Sequence, residues 1–306
     1  MRGHKRKFTD VGFEHVFQHA KGYNVLFYSW EDRLVFFTIF STFAKRFDVT
    51  VIALALMFNH FHCLINAGTS RVMALFIGTV TSTYAMAFNK DGGRKGPLFE
   101  KAYGNASKRT DKIIRTAISY NYNNSVEKGL FTRAEEDRWN FLAYIGSEGP
   151  FSAPLRLSEA SKDLKKSILE VNQHLKDGTY LRYMTIRRLF KNLSHRESEQ
   201  LLDYIIGRYL PIDKKELLSF YKSYEDMVIA INSNTGSEYE IREEYTSDSD
   251  KVYVDMLGIV NRSSYSANPH RIVSASRHEK EKIFSVLKTA CRAKDYQVSR
   301  LLHLNE

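Results

Sequence analysis

The most constraining feature is a pair of apolar runs hinged at Asn59. Residues 49–56 are β-branched and small apolar, Asn59 is turn-prone, and a second apolar run continues to Ile65. Runs of this length read as buried strands, and the turn between them reads as a hairpin. The second strand opens on His60-Phe61-His62. Residues i and i+2 of a strand face the same side. Two imidazoles therefore point together, as needed to hold one divalent ion. An isolated His-x-His is more often an ordinary core or surface pair, so its meaning depends on what else the chain carries.

Residues 110–129 supply a second element. Thr110 suits an N-cap and Asp111 sits in the first turn, where negative charge is favoured. Ile113, Ile114, Ala117 and Ile118 give an apolar face at helical spacing, and Gly129 suits the stop. Tyr120 and Asn124 stand at i and i+4, so one helix can present a phenol and an amide oxygen to the histidine pair. Tyr122 lies about 200° further round and reads as structural or base-stacking.

Three features in this order resemble the single-tyrosine HUH transposases of the insertion-sequence and REP-associated type. They are Met57-Phe58-Asn59-His60-Phe61-His62, then Gly96-Pro97-Leu98-Phe99 with Tyr103, then Tyr120 with Asn124, Val126 and Gly129. The resemblance spans roughly residues 12–131. Phe58 and Ser125 stand where that family usually has proline, which bears on turn geometry. It implies Tyr120 as the nucleophile and His60, His62 and Asn124 as ligands of Mg²⁺ or Mn²⁺. It also implies single-stranded or hairpin DNA as the partner, and either a monomer or a homodimer. A phenol has an ordinary pKa of about 10 and must be deprotonated or polarised before it attacks. Two imidazoles and an amide carry no charge, so the ion should bind weakly until a phosphate adds oxygens.

Strands at residues 13–19, 49–57 and 60–67, a short edge strand at 98–103, and helices at 31–47 and 69–89 make an α+β unit: an antiparallel sheet with helices on one face. The resemblance implies the ferredoxin-like form of that unit. Beyond Phe131 the chain is expected to be all-α. Helical patterns fall at 133–145, 158–175, 186–208 and 211–231, with a Gly/Ser/Pro linker at 146–154. This predicts a catalytic domain over 1–145 and a helical domain over 155–306. Residues 277–304 read either as a helix-turn-helix exposing Gln297, Ser299 and Arg300 or as two ordinary packed helices.

The 306 residues carry a net charge of +10, which favours an anionic partner. Lys90, Arg94, Lys95, Lys101, Lys108, Arg109 and Lys112 are the candidate phosphate contacts. The basic arm at residues 2–7 is either a solvated tail or another such contact. Two cysteines are too few for a disulfide framework. No run reaches the ~18 uninterrupted apolar residues of a membrane span and no secretory core follows the start, so the expected location is the cytoplasm, beside the nucleoid.

Overall fold

The computed structural model describes residues 8, 11–233 and 250–304. The basic arm at 2–7 and residues 235–249, an acidic and polar stretch expected from its composition to be a solvated loop, lie outside the described residues.

Four strands form one antiparallel sheet in the order β2-β3-β1-β4. They are β1 (Phe13–His19), β2 (Thr50–Leu56), β3 (His60–Asn66) and β4 (Gly104–Lys108). Helix α1 (Trp30–Arg46) links β1 to β2, and α2 (Ser70–Gly92) links β3 to β4. That is the ferredoxin-like order. Phe61 of β3 packs against Phe36 and Phe40 of α1, and Phe40 packs against Phe76 of α2. The two crossover helices thus cover one face together. By length and composition α2 could cross a membrane, but its stripe Phe76, Ile77, Val80, Tyr84 and Phe88 is spent on this core.

Helix α3 (Asp111–Glu127) lies on the opposite face, the one that carries the even-numbered side chains of β3. Thr110 caps it, its hydroxyl accepting from the Ile113 amide at 3.4 Å. Gly129 follows the helix at φ +68°, a left-handed conformation that glycine adopts without strain.

The fourth strand is a correction to the sequence reading. It falls at Gly104–Lys108, not at 98–103. Residues 98–100 meet the end of β1 only through isolated bonds, such as Glu100 N–H to His19 C=O at 3.0 Å. The helix expected over 133–145 is also broken, into short turns at Ala134–Glu136, Arg138–Asn140 and α4 (Ala143–Gly146), with Phe141 at φ +67°.

The remaining chain is helical, as expected: α5 (Lys162–Lys176), α6 (Tyr183–Phe190), α7 (His195–Tyr209), α8 (Lys214–Leu218), α9 (Tyr224–Ser233), α10 (Lys251–Val260), α11 (Arg277–Cys291) and α12 (Asp295–Leu302). These helices share their apolar core with the sheet unit. The Asp213 amide donates to Val51 C=O of β2 at 2.8 Å. The end of α12 docks on residues 25–28, where the Val25 amide donates to Arg300 C=O and Tyr28 Oη to Leu301 C=O at 2.5 Å.

Candidate active site

The sheet's second face gathers histidines. His60 and His62 alternate along β3, and His15 and His19 alternate along β1. Register places Phe17 opposite His62 and His19 opposite His60. His15 Nε2 lies 3.1 Å from His62 Nδ1 with the rings stacked, and His19 and His60 have ring centroids 4.6 Å apart. His60 and His62 stand edge to face at 4.7 Å.

Tyr120 closes over this group from α3. Its ring meets His62 at 5.5 Å and His15 at 5.6 Å, both edge to face. The sheet and α3 therefore bring together three of the residues singled out in the sequence. Asn124, one turn on, is buried, and its Oδ1 has no hydrogen-bond partner. A buried carbonyl oxygen left unmet is costly, and an oxygen ligand's role would offset that cost. Tyr122 points elsewhere: its hydroxyl donates to Ile52 C=O of β2 at 3.2 Å, and burial raises its pKa.

The ring nitrogens are set by neighbours. The Asn59 amide nitrogen donates to Tyr23 C=O at 3.3 Å, which turns its oxygen toward His60 Nδ1 at 2.6 Å. An amide oxygen only accepts, so His60 Nδ1 carries the proton and Nε2 keeps its lone pair. Burial, helped by His15, His19 and Lys128, holds His62 well below the ordinary imidazole pKa. Neutral imidazole is the ligating form. Among the described residues no three His, Cys, Asp or Glu side chains converge to hold a metal. A cation here would need the amide oxygen as well as the imidazoles.

His15, His19 and Asn59 were not singled out as site residues. The signal was present in the His15-Val-Phe-Gln-His19 neighbourhood only as period-two alternation: His15, Phe17 and His19 share a face once β1 is a strand. Their nearness to β3 depended on strand order.

Phe17 fits among these rings because Gly104 opposite it has no side chain. A Cβ there would stand 2.2 Å from Phe17 Cζ. Gly104→Ala is expected to push the Phe17 ring toward His62 and to cost about 1–3 kcal/mol, read by thermal or chemical denaturation. A variant as stable as the parent would mean that Phe17 has other room.

The basic candidates divide. Lys90, Lys95, Lys101, Arg109 and Lys112 are exposed. Arg94 turns its guanidinium into its own loop, donating to Asn89 Oδ1 at 2.9 Å and to the Gly96 and Pro97 carbonyls. Lys108 is buried on β4 beside Phe13, a correction to its reading as a surface contact. Gln297 is a second correction. It is buried, and its Oε1 accepts from the Lys294 amide at 2.9 Å as the N-terminal cap of α12. Ser299 and Arg300 are half-buried. The Arg300 guanidinium lies over Tyr23 at 5.3 Å, and Tyr23 packs against His19 at 5.1 Å. The C-terminal helix thus places a cation at the rim of the imidazole cluster.

A ferredoxin-like sheet with paired imidazoles facing a helical tyrosine is the architecture expected of a single-tyrosine transposase domain. Residues 11–120 match the family described as transposase IS200 like. Among solved structures, a REP-associated tyrosine transposase bound to a REP hairpin is similar at 12% identity and a TM-score of 0.42, over 53% of this chain and 96% of that one. No curated protein matches the chain significantly.

Proposed function

We propose that the chain is a metal-dependent single-strand DNA transposase whose nucleophile is Tyr120. The observation that carries this reading is the edge-to-face contact of Tyr120 with His62 at 5.5 Å, on the face where His60 and His62 alternate. The Tyr120 phenol oxygen attacks a phosphodiester phosphorus, the 3′ oxygen leaves, and the phenolic proton is lost to solvent or a neighbouring base. The product is a 5′-phosphotyrosine. One P–O bond replaces another, so rejoining by the returning 3′ hydroxyl needs no ATP.

His60, His62 and Asn124 would hold Mg²⁺ or Mn²⁺. When bound, such an ion offsets charge on the non-bridging oxygens and orients the phosphate. Asn59 fixes the His60 tautomer, and α3 holds the phenol against the sheet. Exposed Lys90, Lys95, Lys101, Arg109 and Lys112, with Arg300 at the rim, would track the phosphates and make binding fall steeply with salt. Hairpin recognition, a cytoplasmic place beside the nucleoid and a helical half serving as a DNA-binding or assembly module complete the reading.

The test is direct. Full-length protein is incubated with hairpin-bearing single-stranded DNA and Mn²⁺ and run on a denaturing gel. A DNA–protein adduct that disappears with EDTA is expected, with cleaved ends joined to a second strand. DNA binding without an adduct would instead mark a transposase-derived regulator, and an adduct without strand joining would mark a replication or transfer nickase.

A further inference from the structure

We infer that the cavity beside the β2–β3 turn is a pocket for one unstacked guanine of the DNA strand. This rests on the single-strand DNA reading above and goes beyond it by naming the base and the groups that read it.

The cavity has a volume of about 620 Å³, within the usual range for small-molecule sites. It lies where the end of β2 and the turn before His60 meet the segment that follows α3, and residues of α10 and the loop after it complete the wall. The same two segments lead to His60 on one side and to Asn124 on the other. A base held here belongs to a nucleotide close to the phosphate that those residues face.

The lining has the chemistry of a base reader. Trp30, Phe58, Phe131 and Trp139 supply aromatic walls, and a base can stack on them whatever its sequence. Two groups break that indifference. The Arg33 guanidinium is ringed by Phe27, Phe58 and Trp139 at 5.9, 5.4 and 5.8 Å. Its Nε is buried with no hydrogen-bond partner among the described residues. Of a guanidinium's five donors, Nε is the one left buried and unmet here, and the nearby Asp137 and Asp32 carboxylates act on its charge. Asp137 is buried in the same wall, with Oδ1 accepting from the Trp139 amide at 2.9 Å.

A donor fork next to a carboxylate selects among ligands. Phosphate would satisfy Arg33 but face Asp137 and Glu31, both at the cavity. Guanine satisfies both sides. Its O6 and N7 accept from the fork, the commonest specific contact to a base, and its N1 and N2 donors match the carboxylate. Adenine offers a donor at N6 where the fork needs an acceptor. Cytosine and thymine lack N7.

The chain has two tryptophans, and both line this cavity, so intrinsic fluorescence reports its occupancy. Full-length protein is titrated with dGMP, dAMP, dCMP and dTMP. Saturable quenching by dGMP at concentrations about tenfold or more below the other three is expected, since a bidentate pair discriminates by that order. 7-Deaza-dGMP, which lacks the N7 acceptor, should bind more weakly than dGMP, and Arg33→Gln should remove the preference. If that variant does not fold, the four-nucleotide comparison on the unchanged protein decides. An equal response to all four nucleotides, as phosphate binding would give, or no response to any, overturns the proposal. The two readings fail separately: adduct formation without guanine preference retains the transposase and rejects the pocket, and guanine-selective quenching without adduct does the reverse.

Discussion

Tyr120→Phe is expected to abolish the DNA–protein adduct while leaving DNA binding within about twofold, because phosphate contacts by lysine and arginine dominate such affinity. The substitution removes one oxygen and keeps the ring that packs edge to face on His62 and His15. Its effect on stability should be small, so the loss can be assigned to chemistry. Removing a nucleophile removes the covalent step itself, and the fall should run to several orders of magnitude. Tyr122→Phe is the built-in control. That hydroxyl bonds to Ile52 C=O in the interior, so its loss should cost about 1 kcal/mol of stability and leave the adduct in place. The measurement is a denaturing gel on both variants with the same hairpin oligonucleotide. An adduct that survives in Tyr120→Phe and vanishes in Tyr122→Phe would exchange the two roles and reject the geometry on which the site is built.

The elements legible from sequence were those whose own residues insist on one conformation. β1, β2 and β3 carry alternating or β-branched apolar runs, and β1 falls at the expected Phe13–His19. β4 was not legible. Its residues Gly104-Asn-Ala-Ser-Lys108 have no strand-forming signal. They pair with β1 because Glu14, buried on that strand, accepts from Asn105 Nδ2 at 2.6 Å and Ser107 Oγ at 2.5 Å, and because Gly104 leaves space for Phe17. The strand is set by its partner, and only the partner's position shows it.

The candidate site follows the same division. His60, His62 and Tyr120 were visible because each lies on an element with a fixed period, which says what shares a face. Lys108 and Gln297 were misread because a polar residue's exposure depends on what packs over it. Gln297 is polar in type, yet it is spent on capping its own helix. The imidazole pairing of β1 with β3 required strand order. The guanidinium pocket required four separate segments, residues 28–33, 56–58, 130–139 and 254–269, to be brought together. No local period encodes that.

Asp32→Ala is expected to cost about 3–5 kcal/mol, the usual penalty when one partner of a buried ion pair is removed and its charge is left behind. Asp32 is fully buried at the start of α1. It accepts from the Tyr28 and Ser29 amides at 2.8 and 3.0 Å and from Tyr183 Oη at 2.7 Å, and its Oδ1 stands 2.8 Å from His270 Nδ1. On the other side of the imidazole, Nε2 is 3.1 Å from Asp91 Oδ2, and Asp91 is gripped by Arg187 through both oxygens. One cluster thereby ties the sheet unit's α1 and α2 to α6 and to the segment before α11. Burial alone would lower the His270 pKa, but Asp32 and Asp91 outweigh it and push it up to about 9. Burial alone would raise the two carboxyls, and His270, with Arg187 at Asp91, reverses that and holds both below the usual range.

The signs then fix the pH dependence. The raised imidazole contributes stability, roughly 3 kcal/mol, that is complete below its unfolded pKa of 6.5 and is lost as pH climbs through about 9. The lowered carboxyls contribute stability present above their unfolded values near 4 and lost as pH falls below them. The cluster should therefore hold best at mildly acid pH. Urea denaturation between pH 5 and 9.5 should show the unchanged protein losing stability toward the alkaline end, and Asp32→Ala losing much less because its imidazole is no longer held charged by two carboxylates. A parent and variant whose stabilities run parallel across that range, or a penalty under about 1 kcal/mol at pH 6, would mean that the fold does not depend on this buried charge cluster.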